Sequence, residues 1–249
     1  GENVKSYKIG DRVLRPRLWH DHIPFSGGRS CWGGFAERAI VKDVWAEKSL
    51  SYDSFPHPQQ IVPKSIASSD VVALITLKEA LSCFQRTNVK PGHSLAIVGT
   101  GPVAQALTFV ARLSNIDSVV VFGRRPEMQE LFIKLGAAAY VCGSNFSSEV
   151  NAIISNGGFD QVIEAVGSRN ALKRCLEVAK NPSKINDQIA REKSSNNCIN
   201  LYGIPPQSEP YDDSDFSDPR VFCSKVVEAE VHDKILKWIQ QKKIRLKEW

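Results

Sequence analysis

A chain of 249 residues with 42% hydrophobic content is long enough to bury one large core or two unequal ones. Its formal charge of +5, from 32 basic and 27 acidic residues, is spread along the chain, which argues against nucleic acid as a partner. No apolar run reaches the length of a membrane span, the opening GENVKSYKIG is polar, and the six cysteines (Cys31, Cys83, Cys142, Cys175, Cys198, Cys223) form no C-x-x-C pair. These features point to a cytoplasmic chain with reduced thiols, lacking a disulfide framework or zinc knuckle.

Up to about Pro63 the chain shows short strand-like runs, glycines and prolines but no long helical pattern, as in a small β-rich unit or a piece of one. From Asp70 onward, β-branched runs alternate with helix-period segments, the pattern of a parallel sheet covered by helices on both faces. Strands are predicted over 94–98 (SLAIV), 118–122 (SVVVF), 138–142 (AAYVC), 160–166 (DQVIEAV) and 198–202 (CINLY). Pro126 suits the first turn of a helix that ends at Gly136, a residue fit for a left-handed cap. Another helix is expected over 170–179, and a last one over 230–243 with Val231, Ile235, Trp238 and Ile239 on its buried face. Two polar stretches, 181–197 and 205–220, read as surface loops.

Chemistry concentrates after the first strand of the sheet. AIVGTGPVAQAL puts Gly99 at a strand end and Gly101 in the turn, with a helix starting at Pro102 and Val103. The first glycine permits a tight turn, the second lets backbone approach a pyrophosphate, and the N–H groups of the helix start receive the phosphates. Ala104 takes the third fingerprint position, which tolerates alanine. At the end of the second strand, where an Asp or Glu would hold the ribose hydroxyls of NAD, stand Gly123, Arg124 and Arg125. A carboxylate there would repel a 2′-phosphate, whereas two guanidinium groups attract it, so NADP is expected in preference to NAD. The alternative is a turn of merely solvated arginines.

Blocks in order along the chain, GENVKSYKIGDRV, WGGFAERAIV, ALITLKEALSCFQRTNVKPG, VGTGPVAQAL, RRPEMQELFIKLGA, FDQVIEAVG, LYGIP and EAEVHDKILKWIQQKKI, resemble the medium-chain dehydrogenases and reductases, the superfamily of zinc alcohol and polyol dehydrogenases. The resemblance implies an α/β protein: a Rossmann-type doubly wound parallel sheet over 68–243, a partial GroES-like β-rich catalytic domain over 1–67, and a return toward the latter over 244–249. It implies a homodimer and hydride transfer between a small alcohol or carbonyl substrate and the nicotinamide. It also implies that the loops at Ala165, Val166 and Gly167 and at Gly203 and Ile204 line the nicotinamide.

In zinc members a cysteine and a histidine-glutamate pair precede the segment that GENVKSYKIGDRV resembles, so this chain is expected to begin after them. Thr76 best matches a further metal-ligand position near the start of the helix that leads into the cofactor domain, and threonine is a poor zinc ligand; Glu79 is out of register, and Thr76 is expected instead among the residues around the cofactor crevice. The four-cysteine lobe is absent too, so the resemblance implies no zinc ligand here, although a complete chain could carry zinc. Trp19, His20 and His22 lie in the connection where that lobe would be and read as loop residues, and His232 as a packing or helix-end residue. No catalytic side chain is assigned. A zinc-independent quinone or enone reductase and a catalytically silent NADP-binding protein stand as the alternatives.

Overall fold

In a computed structural model of the chain, the structure describes residues 2–14, 43–46, 59–87, 89–143, 147–181, 197–224 and 226–246. Trp19, His20, His22 and nearly all of 181–197 lie outside the described residues. The chain divides into two compact units, Gly1–Ser82 with Val226–Trp249, and Cys83–Lys225. This division falls inside the first helix and assigns the last helix to the N-terminal unit, unlike the expected boundaries at 67/68 and 243/244. The reason is the packing of those helices. Lys78 donates to Gln60 Oε1 (2.6 Å), Gln60 Nε2 to Ala229 O (3.1 Å), and the Val227 N–H to Ser82 Oγ (2.7 Å).

In the first unit, β1 (Val13–Leu14) pairs antiparallel with β2 (Gln60–Ile61). Tyr7 Oη (2.6 Å) and Trp45 Nε1 (2.9 Å) both donate to the Gln59 carbonyl beside that pair. Helix α1 (Ser68–Arg86) follows.

The second unit is built on one parallel sheet. Its strands are β3 (Ser94–Val98), β4 (Ser118–Gly123), β5 (Ala139–Cys142), β6 (Gln161–Glu164), β7 (Ile199–Leu201) and β8 (Val221–Phe222), in the order β5-β4-β3-β6-β7-β8. Every pairing is parallel. The chain runs outward from β3 to β5, then returns to the other side of β3 and runs outward again, which puts the switch point between β3 and β6. Helices α2 (Pro102–Leu113), α3 (Gln129–Leu135), α4 (Ser148–Ser155) and α5 (Arg169–Val178) fill the crossovers. Right-handed crossovers leaving β3 in opposite directions place their helices on opposite faces. Consecutive residues Leu95, Ala96, Ile97 and Val98 are accordingly all buried, as a strand covered on both faces requires. One face of this core joins Ala96, Val98, Val120 and Phe122 to Leu172, Cys175 and Val178 of α5. Phe122 meets Phe159 edge-on at 5.9 Å.

The five predicted strands all form: 94–98 as expected, 118–122 extended to Gly123, and the other three trimmed by one to three residues where polar or loop-bound ends leave the ladder. β8 was not anticipated: two residues after a polar stretch carry no periodic signal. The last helix, α6 (His232–Gln240), follows a 3-10 turn at Glu228–Val231 and buries Val231, Ile235 and Trp238. Pro126 opens a 3-10 turn that runs into α3, and Gly136 ends α3 at φ 112°. No helix among the described residues is long and apolar enough to cross a membrane.

Candidate functional site

Beyond the carboxyl ends of β3, β4 and β6 lies a cavity of about 690 Å³, where the topology places ligands. Its lining brings together Gly99, Gly101, Gly123, Arg124, Arg125, Ala165 and Val166 from three separate turns, and adds Thr100, Ser168, Asn170 and Arg174. The lining contains three arginines and neither aspartate nor glutamate, so its charge suits an anion.

The glycines of the first turn have different reasons. Gly99 has φ 132°, and a Cβ there would lie 3.0 Å from the Ala165 carbonyl oxygen. The protein's own packing therefore demands it. A Cβ on Gly101 would meet nothing within 4 Å, and its backbone is ordinary extended chain (φ −76°, ψ 178°). The space beside it is open for a ligand. Gly101 also caps α2, whose first turn has Pro102 and no side-chain cap, leaving backbone N–H donors for an anion.

At the end of β4 the wall is shut. A Cβ on Gly123 would overlap Tyr140 Oη and lie 2.5 Å from Thr100 Cγ2. Tyr140 is held in place by stacking on Phe132 (5.7 Å, 22°) and by donating its hydroxyl proton to the Arg125 carbonyl (2.6 Å). Burial pushes that hydroxyl's pKa up, so it stays a donor. Arg125 Nη2 in turn donates to Thr100 O (2.8 Å) and Thr100 Oγ1 (2.9 Å), bracing the β4 turn against the glycine turn. Arg124 is exposed and makes no hydrogen bond or ion pair among the described residues.

On the β6 side the organiser is Glu164, wholly buried at the strand's end. Its carboxylate accepts the N–H of Val166 (2.8 Å), the N–H of Gly167 (2.9 and 3.1 Å) and the hydroxyl of Tyr211 (3.2 Å). Burial raises its pKa, and these donors oppose the rise. Its carbonyl oxygen accepts the N–H groups of Tyr202 and Gly203, each at 2.9 Å. Gly167 and Gly203 pack backbone to backbone: a Cβ on Gly167 would overlap Ile204 O, and one on Gly203 would overlap Gly167 N.

Of the residues expected from sequence, Pro102, Val103, Gly167, Gly203 and Ile204 are not in the cavity lining, and neither is Thr76 of α1, which belongs to the other unit. Sequence reading missed Thr100, Tyr140, Glu164 and Tyr211. Only Glu164 left a signal, a charge inside the predicted strand 160–166 directly after the apolar Val162 and Ile163. Among the described residues, no three His, Cys, Asp or Glu side chains are grouped so as to hold a metal ion.

Residues 102–185 match the family model of the zinc-binding dehydrogenases. The chain is 26% identical over 196 residues to the zinc-type alcohol dehydrogenase-like protein YdjL of Escherichia coli (strain K12), covering 72% of this chain and 55% of that protein. It is 23% identical over 194 residues to a probable NADP-dependent isopropanol dehydrogenase of Mycoplasma pneumoniae (strain ATCC 29342 / M129 / Subtype 1), covering 74% and 55%. Among solved structures, a zinc-binding dehydrogenase from Sinorhizobium meliloti 1021 bound to NADP superposes with a TM-score of 0.57 at 21% identity, over 76% of this chain and 53% of that one. The chain thus spans about half the length of the curated relatives it matches. Together with the order of its sequence blocks and the strand order of its sheet, these likenesses support the resemblance to the medium-chain dehydrogenase/reductase superfamily, that of the zinc-type alcohol dehydrogenases.

Proposed function

We propose that this chain binds NADP in the cavity above β3, β4 and β6 and serves an oxidoreductase that interconverts an alcohol and its carbonyl compound. The observation that carries the choice of NADP is at the end of β4. Position 123 is filled by Tyr140 and Thr100, so no carboxylate can project there toward a ribose, while Arg124 and Arg125 line the cavity beside it. The N–H groups at Gly101 and the start of α2 would hold the pyrophosphate, and the two guanidinium groups the 2′-phosphate. Arg125 is pre-set by Thr100; Arg124 is available to close on the ligand. When bound, the nicotinamide supplies the hydride chemistry. The NADP bound by the Sinorhizobium structure and the name of the Mycoplasma relative support the same cofactor.

Calorimetric titration of NADPH and NADH tests this. The native chain is expected to bind NADPH more tightly. Charge-assisted hydrogen bonds to phosphate are worth about 1.5–3 kcal/mol, so Arg124→Ala should weaken NADPH by about ten- to a hundredfold and leave NADH nearly unchanged. Arg125→Ala should also weaken NADH, because it frees the glycine turn. Equal affinity for both cofactors in the native chain would reduce the arginines to a solvated turn and overturn the NADP assignment.

A further inference from the structure

The polar stretch 205–220 is tied down at two points. Arg169, the first residue of α5, donates from Nε and Nη2 to both carboxylate oxygens of Asp215 (3.1 and 3.0 Å), and from Nη2 to Asp212 Oδ2 (2.8 Å) and Pro210 O (3.1 Å). Tyr211, between those anchors, packs edge-on against Phe216 (6.5 Å, 83°) and hydrogen-bonds the buried Glu164 carboxylate at 3.2 Å. Through Glu164 the segment thus reaches the backbone of the Val166–Gly167 turn.

That turn occupies a defined place relative to a dinucleotide. With pyrophosphate at Gly101 and the 2′-phosphate at Arg124 and Arg125, the ligand crosses the switch point, so its other half lies beyond β6 and β7. Two apolar side chains stand out in solvent there, Val166 at 46% exposure and Ile204 at 89%. Their backbones are both fixed by Glu164 or by contact with Gly167. A planar, largely uncharged ring suits such a surface.

We infer that Glu164 and Tyr211 are positioning residues for the nicotinamide end of the cofactor: the Tyr211 hydroxyl orients the Glu164 carboxylate, the carboxylate fixes the Val166–Gly167 N–H groups, and the turn presents Val166 to the ring. A buried carboxylate without a cation depends on each of its donors, so losing one loosens the turn it holds. The inference rests on the NADP reading above.

Its test compares NADPH with 2′,5′-ADP, which carries the adenosine and both phosphates that flank it but no nicotinamide. Tyr211→Phe removes the hydroxyl and keeps the ring's packing. The expected result is a rise of about three- to tenfold in the NADPH Kd, with the 2′,5′-ADP Kd unchanged and the fluorescence enhancement of bound NADPH reduced. Glu164→Gln, which turns an amide NH₂ toward N–H donors, should act in the same direction and more strongly. An equal loss for both ligands would mean general loosening of the fold, and an unchanged NADPH Kd would mean no coupling; either overturns the inference. A native chain that binds neither ligand would overturn the NADP reading itself, and this inference with it.

Discussion

At the scale of the residue, Gly123 shows how packing decides which side chain a position can hold. An aspartate placed there would carry the group that usually selects NAD, yet its Cβ would have to displace Tyr140, which is stacked and hydrogen-bonded, and the Thr100 methyl. Overpacking of this kind costs about 1–3 kcal/mol. Gly123→Asp should therefore lower the urea midpoint and abolish NADPH preference without gaining NADH affinity. In a Tyr140→Ala background the carboxylate has room, and NADH affinity should rise relative to NADPH. If the single substitution alone gives tight NADH binding at native stability, the wall at Tyr140 is not closed as described. Neither Tyr140 nor Thr100 was legible in the sequence as a site residue. Tyr140 read only as part of a strand and Thr100 only as the spacer between two glycines, because what matters is that β5 and the turn after β3 bring them together over Gly123 at the end of β4.

At the scale of the element, helix ends matter more than helix interiors. Helix α4 has eight residues, too short to be stable on its own, and depends on its cap and on Val150 in the core. Ser147 supplies the cap, its hydroxyl accepting the Val150 N–H at 3.3 Å. Ser147→Ala should cost about 1 kcal/mol in urea unfolding, and Ser147→Asp should recover it, since a carboxylate both caps and complements the helix dipole. A cost from both substitutions alike would assign the effect to something other than the cap. Elements were legible where a local pattern repeats: β-branched runs for β3 and β4, the Pro126 start and Gly136 stop around α3, and the apolar stripe of α6. They were not legible where pairing is decided elsewhere. β8 exists because the Ile199 N–H finds Arg220 O (2.8 Å), and the 205–220 stretch is ordered by Arg169 in α5, a partner that no local window contains.

At the scale of the whole molecule, acid and cofactor are expected to act on different units. His232 belongs to the unit of residues 1–82 and 226–249, where it is 4% exposed and Nε2–H donates to the Ile61 carbonyl at 3.0 Å. Its Nδ1 is buried with no hydrogen-bond partner among the described residues, so a second proton would be unsatisfied as well as charged. Burial first, and the charge of Lys78 second, bring its pKa from 6.5 down to about 4. The sign of the consequence follows from proton uptake. Below pH 6.5 the unfolded chain binds a proton that the folded chain refuses until about pH 4. Stability from this group is therefore complete above pH 6.5, falls as pH drops, and levels off below about pH 4, a total of about 3 kcal/mol with about 2 kcal/mol gone by pH 5. Urea unfolding at pH 7.5 and pH 5 should show this fall, and His232→Gln, less stable at pH 7.5, should show a flatter profile over the same interval. NADPH, by contrast, should stabilise the unit of residues 83–225, which holds the cavity, so a saturating amount should shift that unit's unfolding and leave the acid-sensitive loss in the other. An acid profile unchanged in His232→Gln would clear this histidine and place the sensitivity in the carboxylates instead.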